Sequence, residues 1–216
     1  MLRIERSGAT LLGRVGDLAR LRDQFDCSHF LRLPGLLSRD LLAVFQRRLD
    51  DAPFRPRVMD GTAVEDRLAS ARLELAMQFA LNDPRLFSWI EQLSGCDPIG
   101  CFTGRIYRRD GVSGGHYVGW HSDVVEHRLV ALSINLGRHP YAGGVLQIRE
   151  RATGEIIAEV ANRTAGDGVI FPITEALQHR VTQVEGSVPR LVLVGWFRAQ
   201  PDFRTLYSWR TNAEPE

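Results

Sequence analysis

The sequence predicts an α+β protein in which N-terminal helices back a double-stranded β-helix, or jelly roll. Two observations carry that expectation. Apolar residues recur at three- and four-residue spacing through the first part of the chain, as they do on helices packed against a sheet. From Pro98 onward, strand-length apolar or alternating runs are separated by Gly, Asp and Pro clusters. Helices followed by a series of strands read as α+β, and many short strands in succession read as a jelly roll. Within one domain spanning 1–216, about 1–97 is then mainly helical support, about 98–198 the jelly-roll core and 199–216 a polar tail containing Trp209.

The helical elements come first. Over residues 36–50, Ser38 is an N-cap candidate and Leu41, Leu42, Phe45 and Leu49 fall on one face. A second helix is predicted over 64–81, where Leu68, Ala71, Leu75, Ala76 and Phe79 recur at helical spacing. A third follows Asp83-Pro84, with Pro84 in its first turn and Leu86, Trp89, Ile90 and Leu93 as its apolar stripe. His29 precedes a short entry strand in Phe30-Leu31-Arg32-Leu33. The later strands are predicted at 101–108, 129–136, 144–150, 155–160, 168–171, 179–184 and 190–198.

Chemistry concentrates in His121-Ser122-Asp123 and the later His179. On an extended strand, positions i and i+2 point the same way, so His121 and Asp123 can grip one ion while Ser122 points elsewhere. The third ligand must come from another strand, and His179 heads the alternating run Arg180-Val181-Thr182-Gln183-Val184. Two imidazoles and one carboxylate on one face of an octahedron leave three positions open, the arrangement that suits non-haem Fe(II) and O2. A catalytic zinc site usually keeps one position open, and a structural one closes its shell. Arg190 opens the apolar run Leu191 to Phe197, and a charge entering a buried strand requires a partner. Its planar guanidinium matches a carboxylate, although the chain has no lysine and every basic side chain besides histidine is Arg.

These motifs stand in a characteristic order: Gly104 to Gly111 with Tyr107, His121-Ser122-Asp123, Arg128 to Leu136, Tyr141-Ala142-Gly143-Gly144, Gly166-Asp167-Gly168, His179-Arg180-Val181 and Pro189-Arg190. Over roughly 98–198 the chain resembles the 2-oxoglutarate and Fe(II)-dependent oxygenases, most closely the prolyl-hydroxylase-like branch. The resemblance implies that His121, Asp123 and His179 bind Fe(II), and that Arg190 binds the distal carboxylate of the cosubstrate 2-oxoglutarate. Tyr107 is similar to the family tyrosine whose hydroxyl reaches the cosubstrate; a core tyrosine is the other reading. Asn135 sits where some members place a cosubstrate-facing polar residue, and a strand-end turn residue is the plainer one. His116 and Trp120 lie where they either face substrate or pack a loop and brace the barrel rim. His127 and His139 read as exposed loop ends.

The implied enzyme is a dioxygenase using O2, with ascorbate a candidate reductant. It would hydroxylate an unactivated C–H of an amino-acid side chain, free or in a peptide or protein, or of a small biosynthetic intermediate, releasing succinate and CO2. Retention of Asp123 favours hydroxylation over halogenation, while desaturation, ring formation and epimerisation stay open. The alternatives are a non-catalytic jelly-roll metal-binding or sensor protein, a zinc hydrolase and a nucleobase demethylase. Nucleobase demethylases typically carry a second Arg six residues after the first, where this chain has Trp196. A net charge of +1 and the lack of a basic patch with interleaved aromatics also argue against nucleic acid. Three cysteines, Cys27, Cys96 and Cys101, form no zinc pattern and suit reduced thiols. With no signal peptide and no apolar run near the roughly twenty residues a span needs, the expected partner is a substrate and the expected address the cytoplasm, with no membrane association.

Overall fold

A computed structural model describes residues 2–11, 17–59, 63–111, 118–125 and 127–205, and its helices are interleaved with more strands than the periodicity predicts. The N-terminal part contains β1 (Leu2–Glu5), β2 (Gly8–Leu11), α1 (Asp17–Ser28), β3 (Leu31–Leu33), α2 (Arg39–Asp50), β4 (Phe54–Met59), β5 (Ala63–Leu68), α3 (Ala71–Leu81) and α4 (Pro84–Ser94). The rest is β: β6 (Cys101–Arg109), β7 (Val118–His121), β8 (Arg128–Asn135), β9 (Ala142–Gly143), β10 (Leu146–Glu150), β11 (Ile156–Val160), β12 (Gly168–Pro172), β13 (Leu177–Val181), β14 (Val184–Glu185) and β15 (Arg190–Arg198).

Capping chemistry explains where the predicted helices begin and end. Ser38 accepts the Leu41 N–H at the start of α2, as its position promises. Asp83 caps α4 ahead of Pro84, and the helix stops at Gly95, whose left-handed φ of 65° strains any residue with a Cβ. Leu86, Ile90 and Leu93 on its inner face are at most 1% exposed, each stabilising the fold by roughly 1.5–3 kcal/mol.

The predicted helix over 64–81 is two elements. Residues 63–68 form β5, an antiparallel strand between β4 and β6, and the helix starts only after its Ser70 cap. Leu68 therefore belongs to the core as a strand residue. Phe79, counted on the apolar stripe, is 64% exposed and meets the Phe203 ring edge-on. The buried face carries Glu74, Met77, Gln78 and Leu81 instead, where Glu74 accepts from Arg67 and the Gln78 amide N–H donates to the Gly104 carbonyl. The hairpin β1–β2, the helix α1 and the strand β4 carry no strong periodicity and lie outside the predicted elements. Strand limits also shift, with 146–150 in place of 144–150 and 177–181 in place of 179–184.

Antiparallel ladders build the jelly roll from a seven-stranded sheet, β3-β12-β8-β15-β6-β5-β4, and a four-stranded sheet, β11-β10-β13-β7. One hydrophobic cluster lies between the helices and the outer face of the large sheet, through Ile90, Phe102, Ile134 and Phe197. A second fills the space between the sheets with Ala131, Leu146, Ile148, Val160, Val169 and Phe171. The helices, the large sheet and the small sheet are thus joined by two hydrophobic layers, and part of the inner gap remains open. No helix among the described residues is long and apolar enough to cross a membrane.

Asp83 joins these layers, accepting the Ala9 N–H of β2 at 2.7 Å and the Arg85 side chain. The Arg85 guanidinium, assisted by the Ala9 and Arg85 N–H groups and opposed by burial, holds its carboxyl down at about 2. A depressed folded-state value means that its stabilisation is complete above the ordinary 3.8 and is lost as pH falls toward about 2. Asp83→Asn, which keeps the cap, is expected to flatten the acid limb of the stability curve across that interval, measured by urea unfolding at stepped pH.

Candidate metal centre

Strands β7 and β13 are paired so that His121 stands directly opposite His179, with ring centroids 4.3 Å apart. Asp123 lies two residues past His121, just beyond the end of β7 rather than within the strand. Strand alternation therefore accounts for His121 but not for Asp123, which the strand does not reach. The chain turns there, and Asp123 Oδ2 comes 3.3 Å from His179 Nε2 while Oδ1 is 3.9 Å from His121 Nε2. One ligand atom from each residue lies within 4.8 Å of the other two. His121 Nδ1 is 2.8 Å from the Gly119 carbonyl, which leaves Nε2 facing the group.

His121 and Asp123 both have the protonation state that metal binding would need. Burial, followed by the charge of His179, lowers the His121 pKa, so its ring is neutral at neutral pH. Burial opposes ionisation of Asp123, yet hydrogen bonds from His179 and Trp196 and the charges of both histidines hold it at about 2. Two further groups fix its orientation. Trp196 Nε1 donates to Oδ2 at 2.8 Å, and Arg128 donates to Oδ1 at 3.1 Å while lying 3.7 Å over the Trp196 ring.

These residues line one side of a cavity of about 590 Å³ between the two sheets. On the opposite sheet, Arg190 begins β15 and is 4% exposed. It donates to the Tyr107 hydroxyl at 2.9 Å and to Ser133 Oγ at 3.5 Å, and its Nε has no partner. Although burial works against the charge, the Tyr107 and Tyr141 hydroxyls hold the Arg190 pKa above the usual guanidinium range. Tyr107 is fully enclosed, and three surrounding cations, Arg190, Arg109 and Arg105, outweigh its burial and lower its pKa.

Not every predicted residue is brought here. Asn135 is buried at the end of β8, where its Oδ1 accepts the Gly137 N–H at 2.9 Å, and it is not part of the cavity wall. Trp120 does line the cavity, and its ring is flanked by Arg149 and Arg180 at 4.4 and 4.5 Å. His127 and His139 are exposed, as expected of loop ends. His116 and Trp209 lie outside the described residues.

Residues 105–198 match the model of the 2OG-Fe(II) oxygenase superfamily. That segment carries a 2OG-Fe(II) oxygenase domain. The fold of the chain is similar to that of a 2OG-Fe(II) oxygenase family protein from Burkholderia pseudomallei, at 17% identity, 89% and 95% coverage of the two chains and a TM-score of 0.64. It is also similar to a Pseudomonas putida prolyl-4-hydroxylase, at 21% identity, 85% and 99% coverage and a TM-score of 0.62. A third similar structure is the epimerase SnoN with Fe3+, alpha ketoglutarate and nogalamycin RO, at 16% identity, 86% and 84% coverage and a TM-score of 0.60. Among curated proteins none matches the chain.

The oxygenase site contains several groups that the motif order did not reveal. Arg105 and Arg109 line the cavity from β6 on either side of the predicted Tyr107, and the i, i+2, i+4 spacing of the three is the signal that marks one strand face. Ser133, Tyr141 and Asn162 complete the wall without any comparable sequence signal. Trp196 orients the carboxylate from the position where an Arg would mark a nucleobase demethylase. Trp196→Phe removes the indole donor while keeping an aromatic ring. Loss of such an outer hydrogen bond is expected to weaken metal binding on the order of 10–100-fold, measured by Mn(II) titration; unchanged affinity would assign Asp123 positioning to Arg128 alone.

Proposed function

We propose that this dioxygenase hydroxylates an unactivated C–H bond of an amino-acid side chain, free or in a peptide or protein, or of a small biosynthetic intermediate, releasing succinate and CO2. The observation that carries the reading is the placement of His121, Asp123 and His179 across one cavity from the buried Arg190. Two imidazoles and an ionised carboxylate within 4.8 Å suit Fe(II), and a buried guanidinium with an unpartnered Nε suits a carboxylate. In this reading His121, Asp123 and His179 hold the metal, and Arg190 with Tyr107 holds the distal carboxylate of 2-oxoglutarate. Bound there, Fe(II) and 2-oxoglutarate supply the O2-derived oxidising power that an unreactive C–H bond requires.

The protein's own part is placement and exclusion of water. Trp196 and Arg128 keep Asp123 turned toward the histidines before any ligand arrives. Leu146, Val160, Val169 and Phe171 form an apolar wall that limits solvent beside the reacting centre. Asp123 occupies the position a halide would need, which supports hydroxylation over halogenation. The prolyl-4-hydroxylase neighbour supports an amino-acid side chain as substrate, and the neighbour holding nogalamycin RO supports a small biosynthetic molecule. The free cysteines Cys27, Cys96 and Cys101 support a reducing compartment such as the cytoplasm.

Anaerobic addition of Fe(II) and 2-oxoglutarate should produce a weak visible charge-transfer band that is absent in Asp123→Ala. A protein that gives neither the band nor succinate with any substrate is not a 2-oxoglutarate-dependent dioxygenase. A second test targets Gly144, where φ is +58° and an added Cβ would lie 2.8 Å from Arg190 Cδ and 2.9 Å from the Tyr141 ring. Gly144→Ala is expected to displace Arg190 and weaken 2-oxoglutarate binding by about ten-fold or more, as loss of a charge-assisted pair does, with Mn(II) affinity retained.

A further inference from the structure

On the β6 side of the cavity cations exceed anions. Arg105 and Arg109 line it from that strand and share a single carboxylate, that of Glu65. Two guanidinium charges against one carboxylate leave one positive charge on this side. Guanidinium charges withdrawn from water are retained only where an anion or hydrogen-bond acceptors meet them.

The excess is localised. Glu65 of β5, 0% exposed, is shared by Arg105 at 3.0 Å and Arg109 at 3.1 Å. Arg109 is 1% exposed, and its Nε and Nη1 have no partner. Arg109 stands opposite Arg190 in the β6–β15 ladder, at the end assigned to the cosubstrate. Arg105 lies four residues away, about 13 Å along the strand. Its guanidinium is 5.6 Å from the ring of Trp196, the residue bonded to Asp123, and its side chain is 19% exposed. The Arg105 guanidinium thus lies between Trp196, on the metal side, and Tyr107, whose ring is also 5.6 Å away and whose hydroxyl meets Arg190, so it faces the part of the cavity that a substrate approaching the metal would cross.

We infer that Arg105, backed by Glu65 and Arg109, binds a carboxylate of the substrate, and that the substrate is a small carboxylic acid. This rests on the dioxygenase reading above. Nη1 and Nη2 of Arg105 can pair with both carboxylate oxygens while its Nε remains on Glu65. Glu65 holds the two guanidiniums in place and offsets one of their charges, leaving the other for the ligand.

The test uses protein loaded with Mn(II) and 2-oxoglutarate, titrated calorimetrically with acid and amide pairs: benzoate and benzamide, N-acetyl-L-leucine and N-acetyl-L-phenylalanine against their amides. At least one acid is expected to bind ten-fold or more tightly than its amide, a difference of about 1.4 kcal/mol. Arg105→Gln should erase that preference and change 2-oxoglutarate affinity less than about two-fold, Arg105→Lys should keep most of it, and Glu65→Gln should enlarge it. Equal binding of acids and amides in every pair, or a preference that survives Arg105→Gln, overturns the assignment. So does an Arg105→Gln effect on 2-oxoglutarate as large as that of Arg190→Gln, which would give the cluster to the cosubstrate. The 2-oxoglutarate isotherm of the wild-type protein separates the two readings: no binding there removes the dioxygenase reading and this inference with it, whereas normal binding without acid preference removes this inference alone.

Discussion

The site depends on the continuous pairing of β15 with β6 on one side and β8 on the other. Arg190 opens that strand and Trp196 lies six residues on, so extended geometry sets them about 20 Å apart along the backbone on the same face. One end supplies the buried guanidinium, and the other supplies the indole N–H that turns Asp123 toward His121 and His179. A one-residue slip in the ladder would turn both side chains away from the cavity. The helical layer buried against the sheet's outer face, through Ile90, Leu93 and Phe197, opposes such a slip.

Charge organises the interior around that frame. Asp123 is ionised because hydrogen bonds and histidine charges outweigh its burial, and His121 is neutral because burial and a neighbouring histidine act together. The charge states of His121 and Asp123 are therefore set by their surroundings. The β6 side is less balanced, since three arginines surround Tyr107 and one buried glutamate serves two of them. A cavity of this charge favours anionic occupants over neutral ones.

Much of the site was legible because its residue types are chemically restrictive. His121, Asp123 and His179 have few alternatives as a set, and Arg190 is conspicuous at the mouth of an apolar strand. Asn135 was less readable, because a polar residue at a strand end serves a turn as readily as a cavity, and its bond to Gly137 serves the turn. The fold was legible where caps and stripes agree, as at Ser38 and Asp83-Pro84. Residues 63–81 misled because Leu68 and Phe79 fit a helical period that ignores the strand pairing of β5 and the polar partners of Glu74 and Gln78.

By itself the sequence determined the α+β class and singled out His121, Asp123, His179 and Arg190, since each follows from residue type, spacing or local capping. Tertiary structure decided what stands next to what. Arg105, Glu65 and Arg109 are separated by up to 44 positions in the chain and meet only through the β5–β6 ladder. Asp123 and Trp196 are 73 positions apart and meet only across the cavity. Contacts of that kind arise from strand register and sheet packing, which local periodicity does not encode.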